Sequence, residues 1–318
     1  MSKILVTGAA GFLGFALAKR LSDDPENQVF AVDNFIRGED DEPFEQLIAR
    51  DNVEFFQIDL TLQADVARLP TEVDYVYHLA ALNGTQNFYE RPFEVVKCCT
   101  LPTIFLIEHY KDTKLQRFIY AGTSEAYAST VTRFGWEVPT SEEVPVSIDD
   151  VSNARWSYGG SKIHGEVATI NGCRNFDMPY SIIRFHNAYG PRMGDKHVIP
   201  DFFERAKKGV YELYGYEDTR SFMYVDDCIE ATLRVGESDK TVGETVNVGS
   251  EHEITILELG KAMLASIGVE AEITLFPSPV GSVKRRAPNV SKLKRLTGFE
   301  ANWALDDGLR MAREWYYD

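Results

Sequence analysis

A chain of 318 residues with 44% hydrophobic side chains can bury a substantial core, in one compact unit or two closely joined domains. Its 49 acidic and 33 basic residues give a formal net charge of -16, which argues against a surface that neutralises nucleic-acid phosphates; any bound nucleotide is expected in a local pocket. The four cysteines (Cys98, Cys99, Cys173, Cys228) contain no C-x-x-C, so neither a zinc site nor a disulfide framework is suggested, and no metal is expected. Lys3–Val6 is too short for a signal peptide and no stretch reaches about 18 apolar residues, so the expectation is a soluble, cytoplasmic protein with no membrane or nucleic-acid partner.

In chain order, short β-branched runs alternate with longer helix-like stretches, the pattern of parallel strands joined by crossover helices. The expected strands are 3–7, 28–32, 53–58, 75–79, 117–121 and 180–184. Between the first two, Phe12, Leu13, Leu17 and Leu21 recur at helical spacing, which predicts an amphipathic helix over 11–22 with these four packed on the sheet. The segment 128–155, rich in Thr, Glu, Pro and Asp, reads as an irregular excursion between two parts of one site. Beyond Pro191 the pattern loses its regularity, with a short strand at 245–248 and a helix near 257–267. The fold class is therefore α/β: a Rossmann-type doubly wound parallel sheet over residues 1–190, with a smaller mixed α/β region over 191–318 that binds substrate and returns some segments to the first domain.

The first strand runs into Gly8-Ala9-Ala10-Gly11-Phe12-Leu13-Gly14. Glycines there permit a tight turn, and the helix that opens offers backbone N–H groups and a dipole to a pyrophosphate; Gly8, Gly11, Phe12, Leu13 and Gly14 are the candidate cofactor contacts. Asp33, 19 positions beyond Gly14, closes the second strand, where a carboxylate can accept both ribose hydroxyls of an adenosine and would repel a 2′-phosphate. NAD is therefore favoured over NADP, and Asn34 is a further candidate cofactor contact. Asp59 and Leu60 follow the third strand, where Asp59 either meets the adenine edge or caps a helix over 61–67.

Tyr158 and Lys162, four residues apart, share one helical face if their stretch is helical. An ammonium beside a phenol, helped by a positive nicotinamide ring, stabilises the phenolate and brings a tyrosine toward use as a base at neutral pH. Thr123, Ser124 and Glu125 follow a predicted strand directly, so they are expected at the carboxyl end of the sheet, where ligands bind.

Together these motifs resemble the extended short-chain dehydrogenase/reductase superfamily, in its nucleotide-sugar epimerase, dehydratase and decarboxylase branch. The resemblance runs through Thr7 to Gly14, His78-Leu79-Ala80-Ala81, Thr123-Ser124-Glu125, Tyr158 with Lys162, Arg184 to Arg192, Thr219-Arg220-Ser221-Phe222 and Arg285-Arg286-Ala287-Pro288. It implies that Tyr158 takes the proton of a sugar C4 hydroxyl while hydride passes to NAD, that Lys162 also holds the nicotinamide ribose, and that Thr123 hydrogen-bonds the sugar oxygen. Leu79, Ala80 and Ala81 join the cofactor contacts. The substrate implied is a nucleotide-diphospho-sugar, met by Asn187, Arg220 and Arg286; two arginines suit a diphosphate because each presents a fork of donors. The same resemblance implies a homodimer. The stretch 91–110, with Val95, Val96, Leu101, Ile104 and Leu106, suits such an interface and core packing equally.

A C4 ketone acidifies its neighbour at C5, so the side chains around it choose among epimerisation, 4,6-dehydration and decarboxylation. Glu125 resembles the dehydratases and uronate decarboxylases, and the run 153–158 resembles a bacterial decarboxylase of aminoarabinose synthesis. Arg184 to Pro191 resembles the GDP-mannose 3,5-epimerases instead, with Lys196 at their catalytic lysine; a loop residue or phosphate contact is the other reading of Lys196. The expected function is C4 oxidation followed by a second step assisted by Glu125. A net sugar 4-dehydrogenase or 4-keto-reductase is the second reading, and a non-catalytic NAD-binding regulator the third.

Overall fold

A computed structural model of the protein describes residues 2–194, 197–278 and 283–318. The six expected strands form as β1 (Lys3–Thr7), β2 (Gln28–Asp33), β3 (Val53–Gln57), β4 (Tyr75–His78), β5 (Arg117–Thr123) and β6 (Tyr180–Phe185). Joined by Thr245–Val248, they make a seven-stranded parallel sheet in which that last strand is followed by β6, β5, β4, β1, β2 and β3. The chain order reverses beside β1, since β2 flanks it on one side and β4 on the other. The carboxyl ends of β1 and β4 are thus the switch point at which open α/β sheets bind ligands. Every residue of β5 is buried, as are Ile4 to Thr7 of β1, the signature of parallel strands covered on both faces.

The chain clusters into two compact units. One comprises Met1–Ala126, Ile148–Arg184 and Thr232–Val246; the other comprises Tyr127–Ser147, Phe185–Ala231 and Asn247–Asp318. Relative to a division at residue 190, the contacts divide the chain at 184, gather 127–147 into the second unit and return 232–246 to the first.

In the first unit, the expected helix over 11–22 runs Phe12–Ser22. Leu17 and Leu21 pack into the core as expected, whereas Phe12 and Leu13, at the open end of the helix, are only half-buried. The helix Trp156–Asn175 buries Trp156, Gly159, Lys162, Glu166, Thr169 and Cys173, at steps of three and four that define one face. A Cβ on Gly165 would sit 1.9 Å from the Tyr120 hydroxyl, so that glycine lets the helix lie close against β5. The helix Pro92–Tyr110 divides the stretch whose role was open: Val95 and Leu106 are fully buried, while Val96, Leu101 and Ile104 keep partial exposure.

The second unit begins with a helix, Ala128–Phe134, where an irregular segment was expected. Its Ser-Thr-Val-Thr run is poor in helix formers, which hid it. Gly135 ends it in the left-handed region at φ 67°, its N–H donating to the Thr130 and Val131 carbonyls. A three-stranded sheet places Thr219–Ser221 between Glu253–Thr255 and Arg285–Arg286. The helix expected near 257–267 runs Ile256–Ser266, and Thr255 and Glu258 form a capping box that fixes its start. Among the described residues, no helix is long and apolar enough to cross a membrane.

Candidate active site

The glycine turn after β1 fits a dinucleotide on its own geometry. Gly8 has φ 74°, and a Cβ there would lie 3.0 Å from the backbone of Ala80; a Cβ on Gly14 would lie 1.9 Å from the Gly8 carbonyl oxygen. Any side chain at either place would block the turn. The N–H groups of Gly8 and Ala9 both donate to the Val32 carbonyl, at 2.8 and 3.1 Å. Donors for an anion must therefore come from the helix start, where the N-cap residue Gly11 brings no side-chain cap to the first turn.

Asp33 is buried at the end of β2, its two oxygens accepting the N–H groups of Ala10 (3.0 Å) and Phe35 (2.8 Å). These bonds lock the carboxylate beside the glycine turn. A Cβ on Gly38 would approach to 3.0 Å of the same carboxylate, so the loop after β2 folds closely over it. Asn34 accepts the Ile36 N–H. Asp59 accepts the Thr61 N–H at 2.9 Å in a local turn, and the helix that follows, Gln63–Val66, starts only after Leu62. Asp59 is therefore not its cap. Leu60 directs its side chain into the core with Ile58 and Val66.

The segment Leu79–Ala81 is fixed by a buried chain of hydrogen bonds. Thr7 Oγ1 accepts the N–H groups of Leu79 and Ala80, both at 3.1 Å, which leaves its own proton for His78 Nδ1 at 2.9 Å. The ring must then carry its hydrogen on Nε2, which donates to Thr103 Oγ1 at 3.1 Å. Burial, with the Lys162 ammonium nearby, holds the His78 pKa down at about 3, so the ring is neutral as this network requires.

Thr123 is the last residue of β5, and Ser124 and Glu125 open the single turn Ser124–Tyr127. Tyr158 and Lys162 do share one face of a helix, as their spacing predicts. Lys162 is buried and donates to the Ala121 carbonyl at 2.8 Å, with its ammonium 4.9 Å from the centre of the Tyr120 ring. Burial pushes its pKa below the ordinary lysine value, opposed by Cys99 and Glu166. Burial likewise pushes the Tyr158 phenol upward, reinforced by Cys99 and Glu125; the Thr123 hydrogen bond and the Arg37 charge oppose it. Thr123, Glu125, Tyr158 and Lys162 are thus brought together at the carboxyl end of β5. Behind them, Glu166 and Arg184 form a buried two-pronged ion pair at 2.9 and 2.6 Å, which makes Arg184 a support of this unit.

Two neighbours escaped the sequence reading. Arg155 pairs with Glu125 at 2.8 Å, and its position three residues before Tyr158 on the helix was the available signal. Phe88 stacks on the Tyr158 ring, with centroids 4.9 Å apart and planes 11° from parallel. It is 70 residues away in sequence, and no local pattern points to it.

In the second unit, Arg220 and Arg286 occupy paired positions of adjacent parallel strands, so they leave the same face of the small sheet. Arg220 donates to the carbonyls of Thr219 (2.7 Å) and Lys284 (3.3 Å), and its guanidinium stands 3.8 Å from Asp218. Asp218 thus gives Arg220 a counter-ion within its own unit. Arg285, next in the basic run, is taken by Glu253 through two bonds of 2.8 Å. Asn187, at φ 37°, donates from its amide to the Ser221 carbonyl. Lys196 lies outside the described residues.

A doubly wound sheet with a glycine turn and a buried aspartate at its switch point, and with Tyr158 and Lys162 beside β5, defines a Rossmann-type protein of the extended short-chain dehydrogenase/reductase class. Residues 4–249 match the NAD dependent epimerase/dehydratase family, and the chain belongs to that family. It is an NAD-dependent enzyme.

The chain is similar to UDP-N-acetyl-alpha-D-glucosaminuronate decarboxylase of Bacillus cytotoxicus, with 30% identity over 99% of this chain and 97% of the relative. UDP-glucuronic acid decarboxylase 6 of Arabidopsis thaliana is 29% identical over 98% of this chain and 88% of its own. Among solved structures, UDP-glucuronic acid 4-epimerase of Bacillus cereus in complex with NAD superposes with a TM-score of 0.84 at 28% identity, over 98% of both chains.

Proposed function

We propose that the enzyme oxidises the C4 hydroxyl of a nucleotide-diphospho-sugar carrying a carboxylate at C5, and that the resulting ketone then loses carbon dioxide with the help of Glu125. The observation that carries this reading is the Glu125–Arg155 pair beside Tyr158, an acid/base group with its own counter-ion next to the tyrosine. The decarboxylases among its relatives support the choice of substrate.

In this mechanism Tyr158 accepts the C4 hydroxyl proton, Thr123 orients the same oxygen, and Lys162 keeps positive charge within reach of the phenolate. Bound NAD supplies the hydride acceptor for C4 and gives the hydride back at the end; the glycine turn, the Phe12 and Leu13 N–H groups, Asp33 and Leu79–Ala81 would hold it. Burial alone pushes the Tyr158 proton the wrong way for a base. The positive charge that arrives with the oxidised nicotinamide opposes that burial, which ties the base to the loaded state. A C4 ketone makes the substrate a β-keto acid. The C5–C6 bond breaks, carbon dioxide leaves, its electron pair passes into the carbonyl, and a proton is returned to C5. Glu125 is the group we assign to that proton. Arg220 and Arg286 take the diphosphate, their paired positions giving two guanidinium forks on one face.

The test is to incubate purified protein and NAD with UDP-glucuronate, UDP-N-acetylglucosaminuronate and UDP-glucose. A pentose signal in the proton NMR spectrum, with carbon dioxide released from C6-labelled uronate, is expected; unchanged sugar in both uronate arms would sink the reading. The B. cereus structures favour a second reading, C4 inversion of the same uronate without loss of carbon. The same spectra separate it, because the product is then a hexuronate. Accumulated nicotinamide absorbance would instead identify a net dehydrogenase. We also infer a homodimer, supported by the partly exposed Val96, Leu101 and Ile104 and by Phe93, which is 76% exposed at the start of the same helix. A monomer mass by light scattering would remove that inference.

A further inference from the structure

Arg155 occupies the N-cap position of the helix that carries Tyr158. Its place is fixed from several sides. The Asn153 side chain accepts its N–H at 3.0 Å, and the indole of the next residue, Trp156, donates to Asp149 at 2.8 Å. The Trp156 ring packs closely on residue 159, where a Cβ would lie 3.1 Å from it and 3.7 Å from the Glu125 Cβ. The guanidinium is thereby held against Glu125 at 2.8 Å, with side-chain exposures of 24% for Arg155 and 20% for Glu125.

A partly exposed pair of this kind contributes little to stability, so a role in function accounts for its position better. One guanidinium carries five N–H donors, more than a single carboxylate can take, and it can hold a second carboxylate beside the first. We propose that Arg155 is the specificity-determining residue for the sugar carboxylate: it binds the C5 carboxylate of the uronate while keeping Glu125 beside the same carbon. This rests on the uronate reading of the function. The negative charge that Arg155 meets in the ground state passes from the carboxylate toward the C4 oxygen as carbon dioxide leaves. Its contact is therefore stronger with bound substrate than in the transition state, and its loss should raise KM more than it lowers kcat.

The experiment measures Kd, by calorimetry on the NAD-loaded enzyme, for UDP-glucuronate and for the neutral UDP-glucose in the wild type, Arg155→Met and Arg155→Lys. The wild type is expected to prefer the uronate by about tenfold or more, the scale of one charge-assisted contact. Arg155→Met should lose most of that preference by weakening the uronate alone, and Arg155→Lys should restore part of it. A preference kept in Arg155→Met overturns the assignment. So does an equal loss for both sugars in both variants, which marks a structural role. A wild type that binds the two sugars equally overturns the uronate reading of the substrate, and this assignment with it.

Discussion

The candidate-site residues singled out in the two units hold their charges differently. In the first, Asp33, His78, Lys162, Glu166 and Arg184 are all buried, and each is fixed by named hydrogen bonds to backbone or to a partner. In the second, Arg220 and Arg286 stand on a small sheet with partial exposure, and Arg285 and Glu253 pair toward solvent. Buried, hydrogen-bonded groups hold their geometry closely, which suits chemistry. Half-exposed guanidinium groups hold a charge with adjustable reach, which suits capture of an anion. The buried groups of the first unit should therefore govern kcat and stability, while Arg220 and Arg286, like the partly exposed Arg155, should govern KM.

The largest effect that would break this comparison is expected at Tyr158. Tyr158→Phe should lower kcat by about 10²–10⁴-fold, the contribution of a positioned general base, while NAD stays bound. Full turnover by this variant in a single-turnover assay would remove the tyrosine from the chemistry. Next, removing one member of the buried pair, as in Glu166→Ala, leaves an uncompensated guanidinium and should cost about 3–5 kcal/mol of stability. Thermal melting checks it, and a double replacement of Glu166 and Arg184 by leucine should recover much of the loss.

Arg220→Ala and Arg286→Ala should each raise KM by about 10–100-fold, as loss of a charge-assisted contact to a phosphate does, with kcat changed much less. A loss confined to kcat would erase the distinction between the units. The smallest expected effect is a pH slope. His78 has its folded-state pKa depressed to about 3. Below the ordinary value near 6.5 the unfolded chain binds a proton that the folded chain does not, so this contribution to stability is full above 6.5 and is lost as pH falls toward 3. The slope from one such group is at most about 1.4 kcal/mol per pH unit. His78→Asn should flatten the fall in melting temperature between pH 6.5 and 4.5; an unchanged slope would mean that the ring titrates elsewhere.

Much of the first unit was legible in the sequence. Central parallel strands such as β1 and β5 are written as continuous apolar runs, and β1 to β6 could be placed to within two residues at their ends. The glycine turn was legible because positive φ and close backbone approach admit one residue type, and the Tyr158–Lys162 pair because helical spacing is local. The second unit was harder to read. Its strands are two or three residues long, as at Thr219–Ser221 and Arg285–Arg286, too short for a periodicity. The sequence could name Arg220 and Arg286 only by resemblance, and their adjacency is a matter of strand register over 66 positions.

The sequence by itself determined the fold class, the cofactor turn and the tyrosine–lysine pair, because turn sterics and side-chain periodicity act over a few residues. Only the tertiary structure decided which groups stand around that pair: Phe88 on the tyrosine ring, Arg155 on Glu125, and Thr7 with His78 behind Leu79 and Ala80. The aromatic stack and the Thr7 network join residues about seventy positions apart, and the ion pair crosses from a strand end to a helix start. Such contacts follow from how strands and helices pack, and no local rule of the chain encodes them.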